Sequence, residues 1–234
     1  MELDLLILYF AFSMAMCYLA IFYRALTLGE NGSLYEPDII PSERKKGNND
    51  GYECELQFNS ELRLYIDKDD YLIPNLVFKK NKQVICEIDS VLVSRKGLFC
   101  IEIKNARGSG RGGDTVLHWK FKKNVNAKGH SIVENPVKQN ERHCEILEKS
   151  LDYHYLSKNT IVFPYAKDIR KIRSKNVFTT ETFLKYYKSL RRNKLKKKDV
   201  LEIVHKLGVE NSTTKHPQHL KRLTREQMMT LQLS

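Results

Sequence analysis

The chain has 234 residues, of which 41% are hydrophobic and 29% are charged, and this balance excludes an intrinsically disordered protein. A net charge of +12 and an isoelectric point of about 9.4 predict an anionic partner, either nucleic acid or an anionic membrane surface. The five cysteines form no C-x-x-C pair and no zinc-spaced cluster, which excludes a zinc finger and favours buried thiols in a reducing compartment.

An uncharged apolar run occupies Leu5–Tyr23. As a helix it would be about 28 Å long, close to the thickness of the hydrocarbon core of a membrane. Because Glu2 and Asp4 precede it and no small-residue cleavage site follows, an uncleaved anchor is favoured over a signal peptide, and a buried soluble helix is the third choice. Arg24 and the basic residues at 44–46 predict a single-pass membrane protein whose remaining chain faces the cytoplasm.

A polar segment at residues 24–50 is predicted to be a linker, since it contains prolines and glycines and has little periodicity. A helix is predicted to begin near Gly51, because apolar residues recur at helical spacing at Phe58, Leu62, Tyr65 and Ile66. A short strand at residues 75–78 follows this helix.

Two apolar segments, Val84–Val93 and Leu98–Lys104, are predicted to form a β-hairpin around the turn-like residues 94–97. Both faces of these strands are apolar, a pattern typical of central strands that are covered on both sides.

Three charged residues interrupt the apolar hairpin. If the turn is centred on the Arg95–Lys96 bond, Asp89 faces Glu102 with Cβ atoms roughly 4.5–5.5 Å apart, and Lys104 shares the face of Glu102. Opposed carboxylates destabilise a buried sheet, and a divalent cation between them would remove that cost. We favour this metal site, while solvated edge residues neutralised by Lys104 are the alternative.

The segment after the hairpin is less regular. The glycine-rich stretch Gly108–Gly113 matches no phosphate-binding motif and is predicted to be a flexible loop. Trp119 is expected in a strand at residues 116–121, as a packing residue. Asn135 and Pro136 open a predicted helix that carries Gln139 and His143, and residues 160–164 are predicted to form another buried strand.

Two more helices are predicted near the C-terminus, at residues 181–190 and at residues 200–207, the second capped by Asp199 and ended by Gly208. Between them lies a run that we call the basic segment, comprising Arg191, Arg192, Lys194, Lys196, Lys197 and Lys198. It is interpreted as a solvated face that could also bind phosphates or an anionic lipid surface.

Taken in order, these motifs resemble the nuclease-related domain, NERD, a branch of the PD-(D/E)xK nuclease superfamily. The matching pieces are a helix-borne G-x-x-G-E motif with Cys54 at the second glycine, an I-D pair, an E-x-K strand, a tryptophan after a glycine-rich stretch, and N-P-x-x-Q at a helix start. In this sequence they are Gly51 to Glu55, Ile88-Asp89, Glu102 to Lys104, Trp119, and Asn135 to Gln139. The resemblance covers residues 51–165.

The resemblance implies an α/β fold with a small mixed sheet flanked by helices. The transmembrane helix predicted at residues 5–23 precedes this fold and is not part of the resemblance. The resemblance further implies Mg²⁺, with Mn²⁺ as an alternative, held by Asp89 and Glu102 with help from Glu55. Lys104 would orient or deprotonate the attacking water, Gln139 would position substrate or lysine, and His143 would contact phosphate. The resemblance does not extend to the basic helical region at residues 166–234.

Two functions of different class follow. The first is a membrane-anchored, metal-dependent nuclease that cleaves DNA or RNA. The second is a non-catalytic module that binds or tethers nucleic acid on the same fold. The complete set of Asp89, Glu102 and Lys104 favours the first, since a binding module has no need of a costly carboxylate pair. A third interpretation, in which the basic residues serve only the membrane surface, leaves that set unexplained.

Overall fold

The computed structural model describes residues 36–39, 50–81, 83–124 and 126–208. The predicted membrane span at residues 5–23 lies outside these ranges. Among the helices that are described, none is both long enough and apolar enough to span a membrane.

Ten strands and four helices make up the described chain, which is a mixed α/β fold. The strands are β1 (Glu36–Ile39), β2 (Tyr71–Lys80), β3 (Gln83–Ser94), β4 (Gly97–Ile103), β5 (Gly108–Gly113), β6 (His118–Lys122), β7 (Ser131–Glu134), β8 (Ser157–Val162), β9 (Ala166–Arg173) and β10 (Val177–Phe178). The helices are α1 (Asp50–Tyr65), α2 (Pro136–Ser150), α3 (Thr180–Ser189) and α4 (Lys197–Lys206).

The strands form two mixed sheets rather than the single small sheet that the resemblance implied. The larger has the order β1-β2-β3-β4-β8-β10, with β1 to β4 antiparallel and β8 parallel to β4. The smaller has the order β7-β6-β5-β9, with β9 parallel to β5. Two of these strands, β9 and β10, lie in the region that the sequence predicts to be helical, and β1 lies in the predicted linker.

The glycine-rich stretch was wrongly predicted to be a loop, because it forms strand β5 of the smaller sheet. A Cβ atom at Gly112 would lie 2.4 Å from Cγ of Trp119, and one at Gly110 would lie 2.7 Å from a ring carbon of Phe121. The glycines are therefore needed because the aromatic rings of β6 pack directly onto the backbone of β5. This packing joins Trp119 and Phe121 to Phe163 in one buried cluster.

The helices cover the larger sheet on both faces, as the apolar pattern of β3 and β4 predicts for central strands. On one face α1 and α3 contribute Phe58, Leu62 and Phe183 to a core that also holds Leu92 and Phe99. Helix α2 packs against β4 and β8. Every residue of β4 is buried, which makes this strand the centre of the fold.

Local signals explain most element boundaries. Asn135 caps α2, since its side chain accepts hydrogen bonds from the backbone N–H groups of Val137 and Lys138. Helix α4 begins at Lys197, three residues before the predicted start, because Asp199 acts from inside the first turn and accepts from the N–H of Lys196 at 2.7 Å. Strand β2 extends well beyond the predicted residues 75–78.

Candidate active site

The predicted hairpin register is confirmed. Strands β3 and β4 pair as Ser90 with Ile101, Val91 with Cys100 and Ser94 with Gly97, around the two-residue turn Arg95–Lys96. This register brings Asp89 and Glu102 to the end of the ladder away from the turn. Beyond the pair of Ser90 and Ile101, the strands are joined by a side-chain hydrogen bond: Asp89 Oδ2 accepts from the backbone N–H of Ile103 at 2.7 Å.

Asp89 lies in an environment that opposes its negative charge. Burial raises the pKa of this carboxyl well above its usual range, and the negative charges of Glu102 and Glu55 raise it further. The hydrogen bond from Ile103 and the charge of Lys104 act in the opposite direction but do not outweigh these effects. The charge of Asp89 is therefore only partly compensated by the surrounding groups.

Glu102 lies in the opposite environment although it is only 3% exposed. Its Oε1 atom is 2.6 Å from the ammonium of Lys104, and its Oε2 atom is 3.3 Å from Nδ1 of His143. Burial alone would raise the pKa of Glu102, but His143 and Lys104 outweigh it and leave that pKa below its ordinary value. The Oε2 and Nδ1 atoms are close but not aligned for a hydrogen bond, so among the described residues both remain buried without a hydrogen-bond partner.

Helix α2 places Gln139 beside Lys104 and His143 beside Glu102. Lys104 donates a 2.9 Å hydrogen bond to Oε1 of Gln139, so the lysine is held between a carboxylate and an amide oxygen. One turn of helix separates Gln139 from His143, which places both side chains on the face that meets β4. The structure therefore brings together four of the predicted site residues, Glu102, Lys104, Gln139 and His143, by direct contact.

The orientation of α2 depends on Asn140, which the sequence gave no reason to single out. This side chain is fully buried, accepts from Cys100 Sγ, and donates to the backbone oxygen of Cys100 and to Asn159 Oδ1, both at 2.9 Å. These bonds tie α2 to β4 and β8. A buried amide with several partners fixes the position of a helix more strictly than apolar contact alone.

Helix α1 approaches the site at its first turns. Asn105, which follows β4, donates a 3.0 Å hydrogen bond to the backbone oxygen of Asp50 at the start of α1. Glu55 is half-buried, and its charge contributes to the raised pKa of Asp89. Cys54, which replaces a glycine of the family motif, is fully buried in the core beside Phe58. The substitution is therefore accommodated by packing, with Glu55 retained on the side of Asp89.

The site offers carboxylate oxygens, which are the ligands that Mg²⁺ prefers. Two features agree with a cation there: the raised pKa of Asp89 and the buried Oε2 atom of Glu102 that lacks a hydrogen-bond partner. Within the described ranges, no group of three or more His, Cys, Asp and Glu side chains forms a cage that could hold a metal ion. Mg²⁺ needs no such cage, since it is commonly held by one or two carboxylates and keeps several waters. The donor set therefore fits Mg²⁺ or Mn²⁺.

The basic segment lies at the other end of the hairpin. The backbone N–H groups of Lys194 and Leu195 donate to the oxygen of Arg95, in the β3–β4 turn, at 3.0 and 3.2 Å. That turn is about 17 Å from Glu102 at 3.3 Å per strand residue. Arg192 is held by Asp67 at 2.6 Å and by Asp69 at 3.6 Å. The other basic side chains are exposed, namely Arg191, Lys194, Lys196, Lys197 and Lys198.

Comparison with known proteins agrees with the motifs. The family model of the nuclease-related domain matches residues 50–179, which is more than half of the chain. No curated protein and no solved structure gives a significant match. On the family match, the chain belongs to the nuclease-related domain family, within the PD-(D/E)xK nuclease superfamily.

Proposed function

We propose that this protein is a metal-dependent nuclease that hydrolyses phosphodiester bonds of DNA or RNA. The observation that carries the proposal is the meeting of Asp89, Glu102 and Lys104 at one end of a buried hairpin. A fold gains no stability from placing two coupled carboxylates there, and structural roles are normally filled by apolar residues.

Asp89 and Glu102 would hold the cation, and the nearby charge of Glu55 on α1 would add to the attraction for it. When bound, Mg²⁺ or Mn²⁺ would supply Lewis acidity towards the scissile phosphate and towards water. The backbone N–H of Ile103 fixes the carboxylate of Asp89, and Lys104 with His143 fixes that of Glu102. Both acids are therefore oriented before any ligand arrives, which lowers the cost of reorganisation.

Lys104 would orient the attacking water and stabilise the negative charge that develops on the phosphate. Gln139 and Glu102 hold its ammonium from two sides, at 2.9 and 2.6 Å, and the side chain is 24% exposed. One donor position can therefore still reach a ligand, because an ammonium has three donors. Gln139 acts through Lys104 and is thus a positioning residue.

A non-catalytic nucleic-acid-binding module is the second candidate. It is favoured by one observation, namely that Lys104 and His143 already compensate the charge of Glu102 without a metal. The charge of Asp89 is compensated only in part, by the N–H of Ile103 and by Lys104, and this is why we prefer the nuclease.

We also propose that the uncharged run at residues 5–23 anchors the protein in a membrane with the nuclease domain in the cytoplasm. The proposal depends on the length of that run and on the basic residues that follow it.

The test is cleavage of single- and double-stranded DNA and RNA by the full-length chain in detergent, with Mg²⁺, Mn²⁺ or EDTA. Asp89→Asn and Glu102→Gln are expected to abolish metal-dependent cleavage. Glu145→Gln, which removes an exposed carboxylate from α2, is the matched control and should cleave normally. A well-folded Asp89→Asn/Glu102→Gln double variant that cleaves at the wild-type rate would refute the proposed mechanism.

A further inference from the structure

The smaller sheet presents a row of three cations on its outer face. In its register Arg111 of β5 stands directly beside Lys120 of β6 and directly beside Lys171 of β9. All three side chains are exposed. We call these three residues the basic row.

Two further cations extend this face. Lys122 pairs with Ser109 at one side of the basic row, and Arg173 pairs with Gly113 at the other. Two acids lie on this face. Asp168 stands opposite Ser109, and both of its oxygens are engaged by Arg170 at 3.0 Å. Glu134 of β7 stands opposite His118, two positions along β6 from Lys120. Among the described residues, no carboxylate forms an ion pair with a member of the basic row.

The fold holds these cations in place. Trp119, Phe121 and Ile172, which alternate with them along the strands, are buried in the core on the inner face. Side chains at neighbouring strand positions must therefore project outwards. Like charges directly opposed across a sheet are destabilising, so the row costs stability in the free protein. An anionic partner would remove that cost.

The basic row is connected to the catalytic end of the larger sheet. Only residues 104–107 separate β4, which carries Glu102, from β5, which carries Arg111. Asn135 also binds the β5–β6 turn, donating to the backbone oxygens of Asp114 at 3.0 Å and Val116 at 2.8 Å. The same residue caps the helix of Gln139 and His143. By contrast, the basic segment lies at the hairpin turn, away from the carboxylates.

We propose that the outer face of the smaller sheet binds the phosphate backbone of the nucleic-acid substrate and leads it to the site at Asp89 and Glu102. This inference rests on the proposed nuclease function. Strands about 4.8 Å apart place the three charges of the basic row over about 10 Å. Duplex DNA carries one negative charge per ~1.7 Å of its axis, so the row faces several phosphates at once. No base-reading group is needed, and binding is independent of sequence.

The experiment compares the full-length chain with the triple variant Arg111→Gln/Lys120→Gln/Lys171→Gln. Lys80→Gln/Lys185→Gln/Lys188→Gln is the control, since it removes three exposed cations from β2 and α3. Affinity for labelled duplex DNA, single-stranded DNA and RNA is measured in EDTA over a range of salt concentrations, and cleavage is measured separately with Mg²⁺. Thermal unfolding reports on folding, and phosphatidylserine vesicles serve as a second anionic surface.

The basic-row variant is expected to bind every sequence more weakly. For duplex DNA, the slope of log K against log salt should become shallower by roughly 0.9 for each lost contact, or by about 2.7 in total. Its melting temperature should be unchanged or higher, because the opposed cations are gone. The control variant should retain the wild-type slope.

An unchanged affinity and slope in the basic-row variant would overturn the inference, and so would a loss confined to vesicle binding. A chain that binds through this face but cleaves nothing with any metal would instead refute the nuclease function and leave the binding surface intact. If the wild type cleaves but the basic-row variant binds as tightly as the wild type, the binding surface is refuted and the nuclease function is supported.

Discussion

Replacing Asp89 or Glu102 by its amide should change protein stability in opposite directions, although both changes are expected to abolish the proposed cleavage. In Asp89→Asn the hydrogen bond from Ile103 is kept, and the repulsion with Glu102 and Glu55 is removed. Relief of an opposed like-charge pair is worth about 0.2–1 kcal/mol. For a chain of this size, the melting temperature should rise by up to about 4 °C in EDTA at neutral pH.

Glu102→Gln should lower the free energy of unfolding. It removes the charged partner of Lys104, a contact worth about 1.5–3 kcal/mol, and relief of the repulsion with Asp89 offsets part of this loss. A net loss of about 1–2 kcal/mol predicts a fall of about 2–8 °C in melting temperature.

The pH dependence of these two effects follows from the pKa shifts. The folded-state pKa of Glu102 is lowered, so its stabilisation is present above the ordinary value of 4.5 and is lost as the pH falls through the folded-state pKa. The folded-state pKa of Asp89 is raised, so its penalty is absent at low pH and grows as the pH rises above 3.8. The differences between wild type and both variants should therefore shrink towards acidic pH.

Thermal unfolding in EDTA between pH 3.5 and 8, repeated with Mg²⁺ at neutral pH, measures these changes. Mg²⁺ should raise the melting temperature of the wild type by mass action but should have little effect on either variant. Equal destabilisation by the two substitutions would refute the inference that Asp89 and Glu102 lie in contrasting electrostatic environments.

The remaining predictions concern turnover, substrate length and membrane attachment. Lys104→Ala should lower kcat far more than it raises KM, because its proposed role is in the transition state; poor binding with a normal kcat would make it a phosphate anchor. Replacing Lys194, Lys196, Lys197 and Lys198 by Gln should weaken binding of long substrates and spare oligonucleotides too short to span about 17 Å. An equal loss of affinity for oligonucleotides of every length would contradict this prediction. Loss of liposome binding alone would assign the basic segment to the membrane surface. Carbonate-washed membranes should retain the full-length chain and release a chain that lacks residues 1–26. A reporter fused to the C-terminus should be active in the cytoplasm, and an extracytoplasmic signal would contradict the proposed topology.

The hairpin could be predicted from sequence because the information that specifies it is local. A two-residue turn fixes the pairing of the strands on either side, and alternation then fixes the faces. The register of β3 and β4 was therefore predicted correctly, and the contact of Lys104 with Glu102 agrees with the prediction that they share a face. The capped start of α2 was also predicted, since Asn135 and Pro136 are neighbours in the chain.

What could not be predicted depends on contacts between distant segments. Glycine composition alone predicts a loop at residues 108–113, and only the rings of Trp119 and Phe121 make glycine necessary in a strand there. The position of the basic segment is set by hydrogen bonds from Lys194 and Leu195 to Arg95, which no local pattern encodes. The basic row was missed because its three charges are scattered in sequence and meet only through sheet register.

The unequal environments of the two carboxylates assign them different parts in the proposed reaction. Glu102 receives its compensation from the protein, through Lys104 on its own strand and His143 on α2. The negative charge of Asp89 is less well compensated, since its neighbours include the acids Glu55 and Glu102. In the proposed reaction a cation would therefore compensate the charge of Asp89, while Glu102 keeps Lys104 in place beside it. Because α2 carries both His143 and Gln139, a displacement of this helix would change the electrostatics of Glu102 and the position of Lys104 together. Asn140, which fixes α2 to β4 and β8, is therefore a positioning residue of the proposed active site.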